Sequence, residues 1–215
     1  LQYSITAIGS VILQTAVNDM GSTYVAAVSA GSKICMFMCC PFDAMGSTMA
    51  TYGGQNVGAK RLDRVDQGLK ACIKMGIIYA LVALAFSIVF GKQLALLFVK
   101  KEQIELIGYI YEFVVINAAF YIFLALVNIV RFMIQGLGYS TFAILAGICE
   151  MIARSVAGFV LVPHFGFICV SLGSPLAWVC ADLFLIPAYL WVMKQLRRKF
   201  GENKISRAKS ATATI

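Results

Sequence analysis

Charge is the scarcest commodity in this chain. Asp, Glu, Lys and Arg make up 13% of its 215 residues, where a soluble domain carries about 25%. Histidine occurs once, at His164, which excludes chemistry that needs paired imidazoles. Proline is scarce too, with four residues. The seven cysteines are an odd number set mostly inside apolar runs, so they read as small packing residues and not as a disulfide framework. Cys39-Cys40 lacks metal-ligand spacing. The Gly53–Ala59 stretch lacks the Lys-Ser/Thr of a phosphate loop, and no strand precedes it. No nucleophile, base and acid stand together, so no enzyme and no resident cofactor or metal are expected.

What is present is apolar. Hydrophobic residues reach 60% and the mean hydropathy is +0.84, more than one soluble core of this length can hide. A helical membrane protein has no such limit, because lipid solvates its outer surface. The charge-free runs Leu1–Asn18, Met75–Gly91, Phe113–Val130 and Phe132–Cys149 each approach the roughly 17–25 residues that cross a bilayer. A membrane barrel would instead show short alternating segments. Six spanning helices are expected: Leu1–Met20, Thr23–Tyr52, Cys72–Phe90, Ile107–Ile134, Ser140–Val162 and Phe167–Met193. Lys92–Lys101 would form an amphipathic exit, Pro163 would stop the fifth helix, and Gln135-Gly136-Leu137-Gly138 the fourth. Residues 1–200 then form one membrane bundle and 201–215 a polar, unstructured tail.

The net charge of +8 does not indicate nucleic acid, because the basic residues gather at the ends of apolar runs. One set of ends holds Lys60, Arg61, Arg64, Lys70, Lys74, Arg131, Lys194, Arg197, Arg198, Lys199, Lys204, Arg207 and Lys209; the other holds Lys92, Lys100 and Lys101. The first set, which includes the C-terminus, is expected to be cytoplasmic. The chain opens inside an apolar segment without an initiator methionine or signal peptide, and so reads as part of a longer protein.

Polar groups within the spans are few and costly, an ionisable one at least about 2.5–3.5 kcal/mol on insertion scales. Gln14 and Asn18 lie one turn apart on the first helix, lining a cavity or bonding another helix. Lys33 either faces a path or pairs with Asp182 or Glu150. Glu150 and Arg154 form an i, i+4 pair in the favourable order, structural or coupling. Asp182 is the best candidate for a protonatable acid, with pairing to Lys33 or Arg154 as its structural role. Asn117 and Asn128, with Met36 and Tyr121 as apolar contacts, complete a candidate cavity face.

Pro41-Phe42-Asp43-Ala44-Met45-Gly46, then Gly53-Gly54-Gln55-Asn56-Val57-Gly58-Ala59, then Arg64, resembles the helix-eight signature of the multidrug and toxic compound extrusion (MATE) family. Gln135–Ser140 and the stretch from Glu150 to Trp178 fit in the same order. The resemblance covers about Leu1–Phe200. It implies an all-α polytopic membrane protein, with this chain as helices seven to twelve of twelve: one six-helix bundle of a two-bundle transporter, in the bacterial DinF-like branch. It implies Pro41, Gly54, Gln55, Asn56, Gly58 and Ala59 as a cytoplasmic family motif. It also implies an antiporter of the cell membrane that exports organic cations or other amphipathic compounds for sodium or protons. Its partners would be the lipid bilayer and the N-terminal six-helix half. Leu124 stands where some branches carry an acid in helix ten, and the first helix has no mid-membrane acid. The coupling ion is therefore expected mainly in the other half. A lipid-linked oligosaccharide flippase of the same superfamily, or a six-helix channel or scaffold, are the alternatives.

Overall fold

The structure, a computed structural model, describes the backbone of residues 2–212 and the side chains of residues 4–201. Every element among the described residues is helical: α1 Gln2–Met20, α2 Ser22–Gly58, α3 Leu62–Ala95, α4 Ile104–Ala119, α5 Tyr121–Gly136, α6 Ser140–Val156, a π turn Ala157–Leu161, α7 Val162–Phe165 and α8 Phe167–Thr212. The six expected helices are all there in order, and the fold is that of an all-α polytopic membrane protein. Four are long and apolar enough to cross a membrane alone, and α4 with α5, bent by 51°, would make a fifth. The helix α1 has 19 residues, but its Gln, Ser, Thr and Asn side chains keep it short of that apolarity. The expected unstructured tail over 201–215 falls where side chains from Glu202, and all of 213–215, lie outside the described residues.

The glycine-rich motif lies beyond the expected helix end at Tyr52, yet it is helical. α2 continues through it to Gly58 and α3 begins at Leu62, so the expected gap between the helices ending at Tyr52 and starting at Cys72 shrinks to a turn at Ala59–Arg61. Helical glycine costs about 1 kcal/mol relative to alanine, and close packing on α5 offsets it. A Cβ on Gly136 would meet the Ala50 carbonyl oxygen at 2.2 Å, and one on Gly53 would meet Met133 Sδ at 2.7 Å. Small residues on both helices let the two backbones touch. Past that crossing α2 ends in two reversed bonds, Arg61 N–H to Asn56 O at 2.8 Å and Lys60 N–H to Val57 O at 2.9 Å. This closure needs a left-handed residue, usually glycine; here it is Lys60, φ 58°. The end of α5 closes the same way with Gly138, φ 91°.

Two further departures have local causes. The fourth expected helix breaks at Phe120, one turn after the Asn117 amide bonds the Phe113 carbonyl at 2.8 Å and so competes with the backbone ladder. Pro163 does not stop the fifth helix. Having no N–H to give, it is preceded by the π turn Ala157–Leu161 and followed by helix to Phe165, where Gly166 ends it at φ 68°.

The core lies around α5, which packs against α2, α3, α6 and α8. One end of the bundle gathers the α2–α3 turn, the α5–α6 turn and the last exposed stretch of α8. There Tyr52 donates to Arg64 O at 3.0 Å, Tyr189 donates to Asp66 at 2.9 Å, and Arg197 pairs with Asp66. The opposite end is held by the rings of Tyr24, Tyr109 and Phe167, with centroids 4.9–5.3 Å apart.

Candidate functional site

Two places concentrate polar chemistry. The first is a buried charge cluster between α5, α6 and α8. Glu150, 2% exposed, pairs through Oε1 with Arg131 and through Oε2 with Arg154 at 3.6 Å. Arg154 also donates to the Thr6 carbonyl on α1 at 3.2 Å. Asp182, 4% exposed, lies within the field of Arg131 and Glu150, and neither of its carboxylate oxygens has a hydrogen-bond partner. The Nε atoms of both arginines are likewise without a partner. Two acids and two guanidiniums stand together, and both acceptors and donors inside the cluster are left unmatched.

The partners differ from those expected. Lys33 meets neither Asp182 nor Glu150. It is exposed on α2, its Nζ 5.9 Å from the Phe98 ring centroid, at the rim of an apolar groove of about 570 Å³ between α2 and α3 lined by Phe37, Val82 and Phe86. Asp182 is not paired with Arg154; its cationic neighbour is Arg131. Arg131 itself belongs to α5 and is 6% exposed, so it is no part of the basic end where the charge count placed it. Its position inside the apolar run 107–134 was the available signal.

The second place is the outward face of α2. Beyond Met36 and Phe37 this helix exposes no large apolar side chain. It exposes Cys40, Asp43, Ser47, Thr48 and Thr51. The hydroxyls of Ser47, Thr48 and Thr51 donate to carbonyls one turn back at 3.0, 2.8 and 3.3 Å. Asp43 accepts at 3.2 Å from the Asn128 amide of α5. Asp43 was legible only as a letter in the family string; the signal for more was that it is a charge in the middle of a span.

The remaining candidates divide. Gln14 and Asn18 bond each other at 3.2 Å on α1, Asn18 exposed and Gln14 half-buried. Met36 is exposed and Asn128 lies at the foot of Asp43. Asn117 and Tyr121 are interior and not on an outward face: Asn117 joins α4 to the Ser171 carbonyl of α8 at 3.3 Å, and the fully buried Tyr121 sets its hydroxyl beside the Cys35 and Cys39 thiols. In the motif, Gly54 faces the Gly136 carbonyl at 3.3 Å for an added Cβ, Asn56 donates to Tyr52 O at 2.9 Å, and Gln55, Gly58 and Ala59 are exposed. Pro41 sits within α2. Among the described residues no three His, Cys, Asp or Glu side chains converge as a metal centre would need.

The chain is a bundle of apolar-skinned helices with a polar outward face on α2. The MatE family model matches residues 1–160, and the chain belongs to that family. No curated protein sequence matches. Among solved structures, the bundle is similar to an outward-facing multidrug resistance MATE family transporter of the MOP superfamily, at 19% identity and TM-score 0.83 over 92% of this chain and 45% of that one. It is similar to an inward-facing transporter of the same description, at 15% identity and TM-score 0.73 over 84% and 41%. It is also similar to a MOP superfamily transporter from Pyrococcus furiosus described as having a binding pocket of reverse polarity, at 16% identity and TM-score 0.71 over 86% and 41%. At these identities the likeness is one of fold. The chain spans less than half the length of each.

Proposed function

We propose that this chain is the second half of a MATE-type secondary antiporter, helices seven to twelve in the DinF-like branch. It sits in the plasma membrane with its basic end and C-terminus cytoplasmic, and exports organic cations or other amphipathic compounds in exchange for sodium or protons. The observation that carries the reading is the polar outward face of α2. A helix facing lipid has no use for Cys40, Asp43, Ser47, Thr48 and Thr51 in one row, whereas the wall of a wet cavity shared with a first bundle does. In transporters built from two repeats, substrate sites lie at the repeat interface near the bilayer midplane.

The mechanism follows from charge. Loading a buried or cavity-facing acid with a proton or cation changes its preference between outward-open and inward-open states, and a ligand shifts such an equilibrium only by its differential affinity for the two. Gln14, Asn18, Met36 and Asn128 form the wall of the cavity, and Asp182, with unmatched oxygens, is the acid of this half whose charge state the cluster would register. The flippase reading is less favoured: the two deep arginines are committed to Glu150, which leaves little free positive charge for a pyrophosphate.

Dye efflux from vesicles containing the full-length protein tests this. Export driven by a sodium or proton gradient is expected, abolished or slowed at least tenfold in Asp182→Asn and weakened in Gln14→Ala. Vesicles that move no cationic dye under either gradient would sink the antiporter reading. Normal efflux in both variants would remove these residues from the mechanism.

A further inference from the structure

The charges of the buried cluster are answered within the chain. Asp43 is not. It belongs to none of the ion pairs among the described residues, and its only side-chain partner there is the neutral Asn128 amide, which occupies Oδ1 and leaves Oδ2 open. Its depth makes this costly. Asp43 lies ten residues after Lys33 and nine before Tyr52, about 15 Å and about 14 Å along a helix that rises 1.5 Å per residue. Lys33 sits over Phe98, at the end of α3 that leads to Lys100 and Lys101. Tyr52 bonds Arg64 at the opposite end. A carboxylate that far from either group lies deep within a hydrocarbon layer about 30 Å thick.

A negative charge there, facing lipid, would cost at least about 2.5–3.5 kcal/mol. The face around it is built for something else. Its hydroxyls bond their own helix, so they add polarity without needing a partner. Asn128, 9% exposed, reaches from the core helix α5 to fix the carboxylate's direction. An oriented acid with no internal counter-charge needs one from outside.

We propose that Asp43, seated by Asn128, holds a monovalent cation on the outward face of α2, deep within the membrane. The cation is the ammonium or phosphonium centre of a substrate, or the coupling sodium ion; one carboxylate serves both by the same charge. The proposal rests on reading that face as a cavity wall, and not on which compound is exported. Asp43 is the binding group and Asn128 the positioning residue.

The test uses the full-length protein in detergent, with tetraphenylphosphonium and sodium as separate probes of binding. Wild type is expected to bind tetraphenylphosphonium, more weakly as falling pH protonates the carboxylate. Asp43→Asn should weaken binding at least tenfold and remove the pH dependence. Asp43→Glu should recover most of the affinity, and Asn128→Ala should weaken binding by a smaller factor, with melting temperatures close to wild type in all three. Sodium that competes in wild type and not in Asp43→Asn assigns the site to both ions; absence of competition assigns it to the substrate alone. Binding by Asp43→Asn equal to wild type overturns the proposal, as it would if a basic residue of another bundle neutralises Asp43. So does a wild type that binds neither probe. If Asp43-dependent binding persists in a protein that exports no dye, the site stands and the antiporter reading falls.

Discussion

The helices α2 and α3 are neighbours of similar length, 37 and 34 residues, and they turn opposite chemistry outward. Between Met75 and Phe90, α3 exposes Met75, Ile78, Leu81, Val82, Phe86, Ile88, Val89 and Phe90, and turns both its hydroxyls inward, burying Ser87 and donating from Tyr79 to the Met38 carbonyl at 3.0 Å. Beyond Phe37, α2 exposes Cys40, Asp43, Ser47, Thr48 and Thr51, and buries Phe42 and Met49. The inner faces of both are apolar. The environment each outer face meets is therefore written in the side chains it exposes. Exposure alone has no single meaning in a membrane bundle: for α3 it marks lipid, and for α2 a wet or protein-lined surface.

The largest expected effect calibrates the interior behind both faces. Glu150→Gln leaves Arg131 and Arg154 buried without their counter-charge, which costs about 3–5 kcal/mol; the melting temperature in detergent should drop sharply, and an unchanged value would mean that Asp182 takes over the pairing. Next comes the direct contrast. Val82→Asp should lose about 2.5–3.5 kcal/mol of insertion free energy and most of the membrane-inserted yield, while Thr48→Asp on α2 should lose little. Equal losses would erase the distinction between the two faces. A third effect concerns how α2 is held so that its face points outward. Gly136→Ala must push the Ala50 carbonyl away from 2.2 Å, and overpacking of this kind costs about 1–3 kcal/mol. It should lower thermal stability more than Gly58→Ala, where an added Cβ meets nothing within 4 Å. The smallest is Lys60→Gly at the end of α2, expected to stabilise by up to about 1 kcal/mol because the left-handed position no longer strains a side chain; a lower melting temperature would show that Lys60 has a role its backbone does not reveal.

Six helices in the right order were legible because apolar runs of bilayer length are unambiguous. Their ends were not. The second helix was expected to end at Tyr52, before Gly53 and Gly54, because glycine weakens a helix locally, and only α5, eighty residues further on in the chain, supplies the contact that keeps α2 helical there. The break at Phe120 was hidden for a similar reason: it carries no proline or glycine, and its cause is a side-chain bond by Asn117. Of the candidate site, the local pair Glu150–Arg154 could be read from spacing. The choice of Arg131 as the cation near Asp182 is set by how α5, α6 and α8 pack, and no spacing within one helix encodes it. Lys33 shows the converse, since a lysine within a predicted span looks as though it needs an acid, whereas an aromatic ring at the rim suffices.

The crossing at Gly136 bears on motion as well as on packing. Side chains absorb displacement by changing rotamer, but a carbonyl pressed against a glycine has no rotamer to change. The α2–α5 joint is therefore the stiffest point at the basic end of the bundle. At the far end the same helix is held by Tyr24, Tyr109 and Phe167, tilted rings with the two tyrosine hydroxyls 3.3 Å apart, which are side chains with rotamers to change. Any swing of α2 is thus levered about its glycine end, and the displacement grows along its length toward Asp43 and the aromatic end beyond it.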